Sequence, residues 1–188
     1  MIGPANTGHE NLECADCHEA AEGTPRQQIQ ANVRHLIGLR DTGVDFQHED
    51  VTSQDCLACH ARPDDRHPIF RFNEPRFAEA RAEIGANDCV SCHLEHQGER
   101  ATIEPTFCIN CHEDLTLKND PLDVSHEQLI AIDEWQSCLG CHDFHGNHVR
   151  ETQVIYDERI PNDVVVDYLK GGKSPYSAEK KHQAQESR

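Results

Sequence analysis

Apolar residues in this chain come in short bursts separated by long polar stretches, a pattern that predicts several brief helices joined by irregular chain. Between Pro25 and Arg40, Ile29, Val33, Leu36 and Ile37 recur at helical spacing; Gly38 weakens the end and Thr42-Gly43 marks a turn. Residues 75–85 open on Pro75 and close on Gly85, the punctuation of a helix. A third helix is expected from Ser125, a capping residue, to about Ser137, carrying Leu129, Ile130 and Ile132. Residues 98–107 read as loop, and 163–169, with Val164, Val165 and Val166, as a short strand. No stretch approaches the ~18 apolar residues needed to cross a bilayer.

Composition sharpens this picture. At 188 residues the chain has a one-domain length, with two small domains possible. Only 36% of it is hydrophobic, with one Met and one Trp, so an ordinary apolar core would be thin. The cysteines indicate what fills the deficit. All ten fall in five copies of Cys-x-x-Cys-His: Cys14, Cys17 and His18; Cys56, Cys59 and His60; Cys89, Cys92 and His93; Cys108, Cys111 and His112; Cys138, Cys141 and His142.

This is the attachment signature of c-type haem: the two thiols form thioethers and the adjacent histidine is the proximal iron ligand. Zinc explains the pattern poorly, because two Cys pairs close one tetrahedral site and five pairs leave one over. Neither zinc nor five disulfides gives a reason for a histidine after every second cysteine. A thioredoxin-like motif would occur once, beside a βαβ pattern that is absent here. Five covalently attached haems c, with their iron, are therefore the expected cofactors.

The 140 residues from His9 to His148 would then serve five haems, 28 residues each. At that density the porphyrins are the core. The expected fold is mostly irregular, with short α-helices and minimal β: a compact multihaem arrangement wrapped by polypeptide. Residues 1–150 form the haem domain and 151–188 a haem-free C-terminal extension. The proximal histidines are 42, 33, 19 and 30 residues apart, which argues against one repeated module and makes the third and fourth haems close neighbours. Four of the five lysines (Lys170, Lys173, Lys180 and Lys181) lie in the extension. Its end, 172–188, reads as a disordered terminus, the alternative being a docking arm for an acidic partner or a second copy.

What fills the sixth position of each iron separates a wire from an enzyme. Met1, the single methionine, is terminal, so methionine ligation is not expected. Nine histidines lie outside the motifs. The first-choice distal ligands are His9, His48, His67, His96 and His126, with His35, His145 and His148 in reserve. His67 precedes Pro68 on a stiff extended turn, and His126 stands at a helix start. His35 lies on the apolar side of its helix, where a satisfied core histidine is an equal alternative. His145 and His148 are three apart, so at most one is expected to bind iron, the other supporting it. His182, in the polar tail, is left out of the set.

At these histidines the chain resembles the class III, cytochrome c3/c7-like multihaem family. Phe46-Gln-His48 ahead of Cys56 is similar to the family's Phe-x-His form, and His9-Glu-Asn-Leu12-Glu-Cys14 to its His-x-x-Leu-x-Cys form. Cys92-His93-Leu-Glu-His96-Gln-Gly98 and Cys141-His142-Asp-Phe-His145-Gly146 look like the Cys-His-x-x-His-Gly pattern of many multihaem chains. The resemblance implies that a distal histidine there serves a haem other than the nearest one. It covers about residues 9–148 and departs from the family in haem number, spacing, acidity and tail.

The formal charge of −17, from 34 acidic and 17 basic residues, excludes nucleic acid as a natural partner. It suits a redox partner that is basic or membrane-associated, or serves solubility alone. The expected role is electron transfer without catalysis, outside the cytoplasm, in the periplasm or beyond. Covalent haem attachment takes place there, and the start of this chain shows no leader. A multihaem reductase would need a five-coordinate haem despite the histidine surplus. A filament subunit would use surplus histidines such as His145 or His148 across copies.

Overall fold

The computed structural model describes residues 3–185; Met1, Ile2 and residues 186–188, the last of the expected tail, lie outside the described residues. Among the described residues there are eight short helices: α1 (Pro25–Leu36), α2 (Ser53–His60), α3 (Ile69–Phe72), α4 (Ala78–Ile84), α5 (Ile109–His112), α6 (His126–Ala131), α7 (Cys138–Cys141) and α8 (Asn162–Leu169). Six 3-10 turns, irregular chain and two isolated antiparallel bridges, Ala20 with His48 and His148 with Lys180, make up the rest. There is no strand among the described residues, and no helix is long and apolar enough to cross a membrane. The fold is the helix-poor, irregular one that the polar pattern predicts.

Local sequence chemistry sets the helix ends. Thr24 and Gln27 close a capping box on α1, with Pro25 in the first turn, and Ser125 and Gln128 do the same for α6. Residues 75–77 form a 3-10 turn before α4, which ends on Gly85 in the left-handed conformation (φ 60°). The helix expected to reach Ser137 stops at Ala131, because Asp133 adopts φ 59° and breaks it before a separate 3-10 turn at Trp135–Ser137. The loop expected over 98–107 gives way at Pro105 to a 3-10 turn that runs into the fourth motif.

The strand expected at 163–169 is a correction: those residues are helix α8. A run of seven cannot be assigned by periodicity alone. Val165 is fully buried, and Asp163 sits in the first turn, where the helix dipole favours it.

The described residues divide into two compact units, 3–10 with 62–184, and 11–61 with 185. The extension from residue 151 to 184 therefore belongs with the third, fourth and fifth motifs. Here Arg100 lies over the Tyr168 ring at 4.4 Å and donates to the carbonyls of Tyr168 and Gly172. Tyr176 donates to Leu139 O at 2.7 Å, inside the fifth motif, and Val149 N and Lys181 N bond Glu179 O and Asn147 O. Gly140 is the motif residue that admits this packing. A Cβ there would stand 2.6 Å from Ile160 O, whose own N–H bonds Gly140 O. Residues 172–184, within the stretch 172–188 read from sequence as a disordered end or a docking arm, thus run as a strap over the fifth motif.

The side-chain core is as thin as the composition implies. Among the described residues, the buried apolar ones are Ala80, Ala86, Ala101, Trp135, Leu139, Cys141 and Val165. Phe70, Leu39 and Leu36 are 73–85% exposed, surface that a large flat apolar cofactor would cover at about 25 cal/mol per Å².

Candidate functional site

Each Cys-x-x-Cys-His stretch coils into a single turn. His18 N, His93 N and His142 N bond the carbonyl of the first cysteine of their own motif at 2.8, 3.0 and 2.8 Å. In such a turn the cysteines, three apart, share one side and the histidine follows one place on, the placement a covalently held porphyrin requires. The second motif ends α2, the fourth spans the junction into α5, and the fifth is α7 with His142 behind it. The sulfurs of Cys108 and Cys138 are in hydrogen-bond contact, so the fourth and fifth attachment turns lie side by side. Burial pushes the Cys92 thiol up to about 11, which keeps it un-ionised at neutral pH before any thioether forms.

Four motif histidines each face one histidine from outside the motifs. Ring centroids are 5.8 Å apart for His18 and His48, 6.2 Å for His112 and His67, 6.1 Å for His93 and His145, and 6.1 Å for His142 and His126. Two imidazoles on opposite sides of one metal, with bonds of about 2 Å and ring centres about 1 Å behind the nitrogens, would be separated by roughly 6 Å. Directly stacked rings would sit closer. The donor set and its spacing fit a haem iron.

In four of these eight rings Nδ1 is held by a protein acceptor, as in metal-bound histidines. His67 Nδ1 meets Phe144 O at 2.6 Å and His93 Nδ1 meets Arg100 O at 2.8 Å. His126 Nδ1 lies 2.9 Å from an Asp120 oxygen, and His145 Nδ1 is 3.2 Å from both oxygens of Asp65. Each arrangement leaves Nε2 to reach a metal. Burial holds His67, His93 and His142 below the usual imidazole range, so they stay neutral, the ligating form. For Asp65, burial pulls the carboxyl up, but the bond and charge of His145, the His67 N–H and Arg62 together outweigh it and the net shift is down.

Other sequence-predicted residues fall elsewhere. His148 is buried, with Asp143 at 2.8 Å from Nδ1, Ser174 Oγ at 3.5 Å from Nε2, and the Tyr168 and Tyr176 rings against it. Both its nitrogens have protein partners, whereas its neighbour His145 reaches His93. His35 is exposed, and Nδ1 meets Arg40 O. The apolar stripe it was placed on is open, with Val33 50% exposed, because the polar Gln28 faces inward instead. His9 pairs with Glu95 at 2.8 Å, His96 Nδ1 lies 3.3 Å from Gly3 O, and His60 ends α2. His182 lies 3.7 Å from Asp64.

Sequence reasoning missed the polar residues that aim the histidines. Gln28, 2% exposed, donates to the carbonyls of Ala21, Glu22 and Gly23 and accepts from Gln47 N, tying the segment after His18 to the one before His48. Asn6, 3% exposed, holds Leu94 O and the Gln97 and Gly98 amides. A long-range hub of this kind leaves no local signal. Gln28→Ala is expected to cost about 2–4 kcal/mol through orphaned buried carbonyls and an amide. The checks are denaturant unfolding and loss of the low-spin signal from one haem.

Comparison with known proteins places the chain in a family. The family model described as cytochrome c3 matches residues 5–113, more than half of the chain. The chain belongs to the cytochrome c3 family. Covalently bound haem c and haem-based electron transfer come with that membership. The matched stretch holds the first four motifs; the fifth motif and the strap over it lie beyond it. No curated protein and no solved structure shows significant similarity to the chain.

Proposed function

We propose that this cytochrome is a non-catalytic electron carrier with five covalently attached haems c, each iron held between two histidines. The observation that supports it best is the pairing of four motif histidines with four others at 5.8–6.2 Å. The ligand pairs in this reading are His18 with His48, His93 with His145, His112 with His67 and His142 with His126. Haem iron supplies reversible one-electron chemistry, and the chain sets spacing, burial and potential. The carrier works outside the cytoplasm, and its −17 charge steers it to a basic or membrane-associated redox protein.

Haem count from the pyridine haemochrome and intact mass, with low-temperature EPR of the oxidised protein, tests this reading. Five haems, all low-spin, are expected. A stoichiometric high-spin iron would indicate an open site and a reductase instead.

A further inference from the structure

The paired histidines differ in what stands behind them. His126 and His145 present Nδ1 to carboxylates, whereas His67 presents Nδ1 to the neutral carbonyl of Phe144. The carboxylates are built into place. Asp120 also accepts from His126 N at 2.6 Å and Leu122 N at 3.1 Å, and its side chain is 15% exposed. Asp65 accepts from His67 N at 2.9 Å, is 16% exposed and lies 3.9 Å from Arg62. Neither carboxylate is free to turn away from its imidazole.

We propose that Asp65 and Asp120 are potential-setting residues, which make the irons of the His93–His145 and His142–His126 pairs more reducing than each would be with a neutral acceptor. A carboxylate draws the Nδ1 proton and raises the basicity of Nε2. A more basic ligand donates more electron density and stabilises ferric over ferrous iron, which lowers the potential. A backbone carbonyl, as behind His67, does this less. The inference rests on the two-histidine ligation proposed above, and the effect of Asp65 is the weaker one because of its longer bonds and its arginine neighbour.

The test is spectroelectrochemical titration and EPR of the full-length, haem-loaded D120N and D65N proteins. D120N is expected to favour reduction of one haem about tenfold, 59 mV for one electron, and D65N to favour reduction of another by less, while each haem stays low-spin with altered g values. E127Q is the control: it removes the same charge from the exposed residue next to His126 without touching an imidazole, and is expected to move the potential much less. D120E, which keeps a carboxylate, is expected to restore most of the original value. Potentials unchanged in both Asn variants, or moved equally by E127Q, would overturn the proposal. An H126A protein with all haems still low-spin and unshifted would instead overturn the ligation beneath it. The two failures are thus distinguishable.

Discussion

Replacing His67 with methionine is expected to raise the potential of one haem by on the order of 100 mV or more, within the ~0.8 V that axial ligands command. In the proposed ligation His67 faces His112 at 6.2 Å, and its ring is stacked on Phe144 at 4.1 Å, a neighbour that tolerates a thioether. Sulfur is a weaker donor to ferric iron than imidazole, so ferrous iron gains. Potentiometry should show one of the haems separating upward from the rest, with a thioether-to-iron band appearing in the oxidised spectrum. The structure makes this substitution more telling than one at His126 or His145, because no carboxylate loses its partner. An unshifted titration would remove His67 from the ligand set.

Loss of the Tyr176 ring is expected to destabilise the protein as strongly as loss of the Gln28 side chain. Tyr176 donates to Leu139 O at 2.7 Å, lies 5.1 Å from the His148 ring and 5.4 Å from Tyr168, and carries the Arg150 guanidinium 5.1 Å from its ring centre. Burial pushes its phenol up, so the hydroxyl remains a donor across the accessible pH range. Tyr176→Ala is expected to cost roughly 2–4 kcal/mol, combining lost ring packing with an orphaned carbonyl. Tyr176→Phe should lose only the hydrogen bond, about 1–2 kcal/mol. Thermal unfolding monitored at the Soret band separates the two. Equal stability of the Ala variant and the parent would mean that the strap does not brace the fifth motif.

The two predictions concern different parts of one design. The matched family stretch ends at residue 113, before the fifth motif, the proposed distal histidines His126 and His145 and the strap that covers Leu139. The fifth turn is therefore the part of the chain with its own added packing. Gly140 is there because Ile160 O approaches too closely for any side chain.

The order of residues already specified the cofactor chemistry. Cysteine spacing is a covalent constraint within a single turn, and a turn is a local object that sequence alone specifies. It also determined the irregular, helix-poor architecture, because so few apolar residues cannot build a conventional core, and the caps at Thr24 and Ser125 acted within three residues of themselves. Which histidine meets which depends on long-range packing. His145 lies 52 positions beyond His93 in the chain, yet their rings are 6.1 Å apart, while His148, three residues further on, turns into a tyrosine pocket. The tertiary structure also made 162–169 a helix and recruited Gln28, Asp65, Asp120 and Tyr176, none of which carries a motif. The physical reason is range: covalent and capping chemistry acts between neighbours, whereas ligand pairing and buried hydrogen bonds depend on where distant segments come to rest.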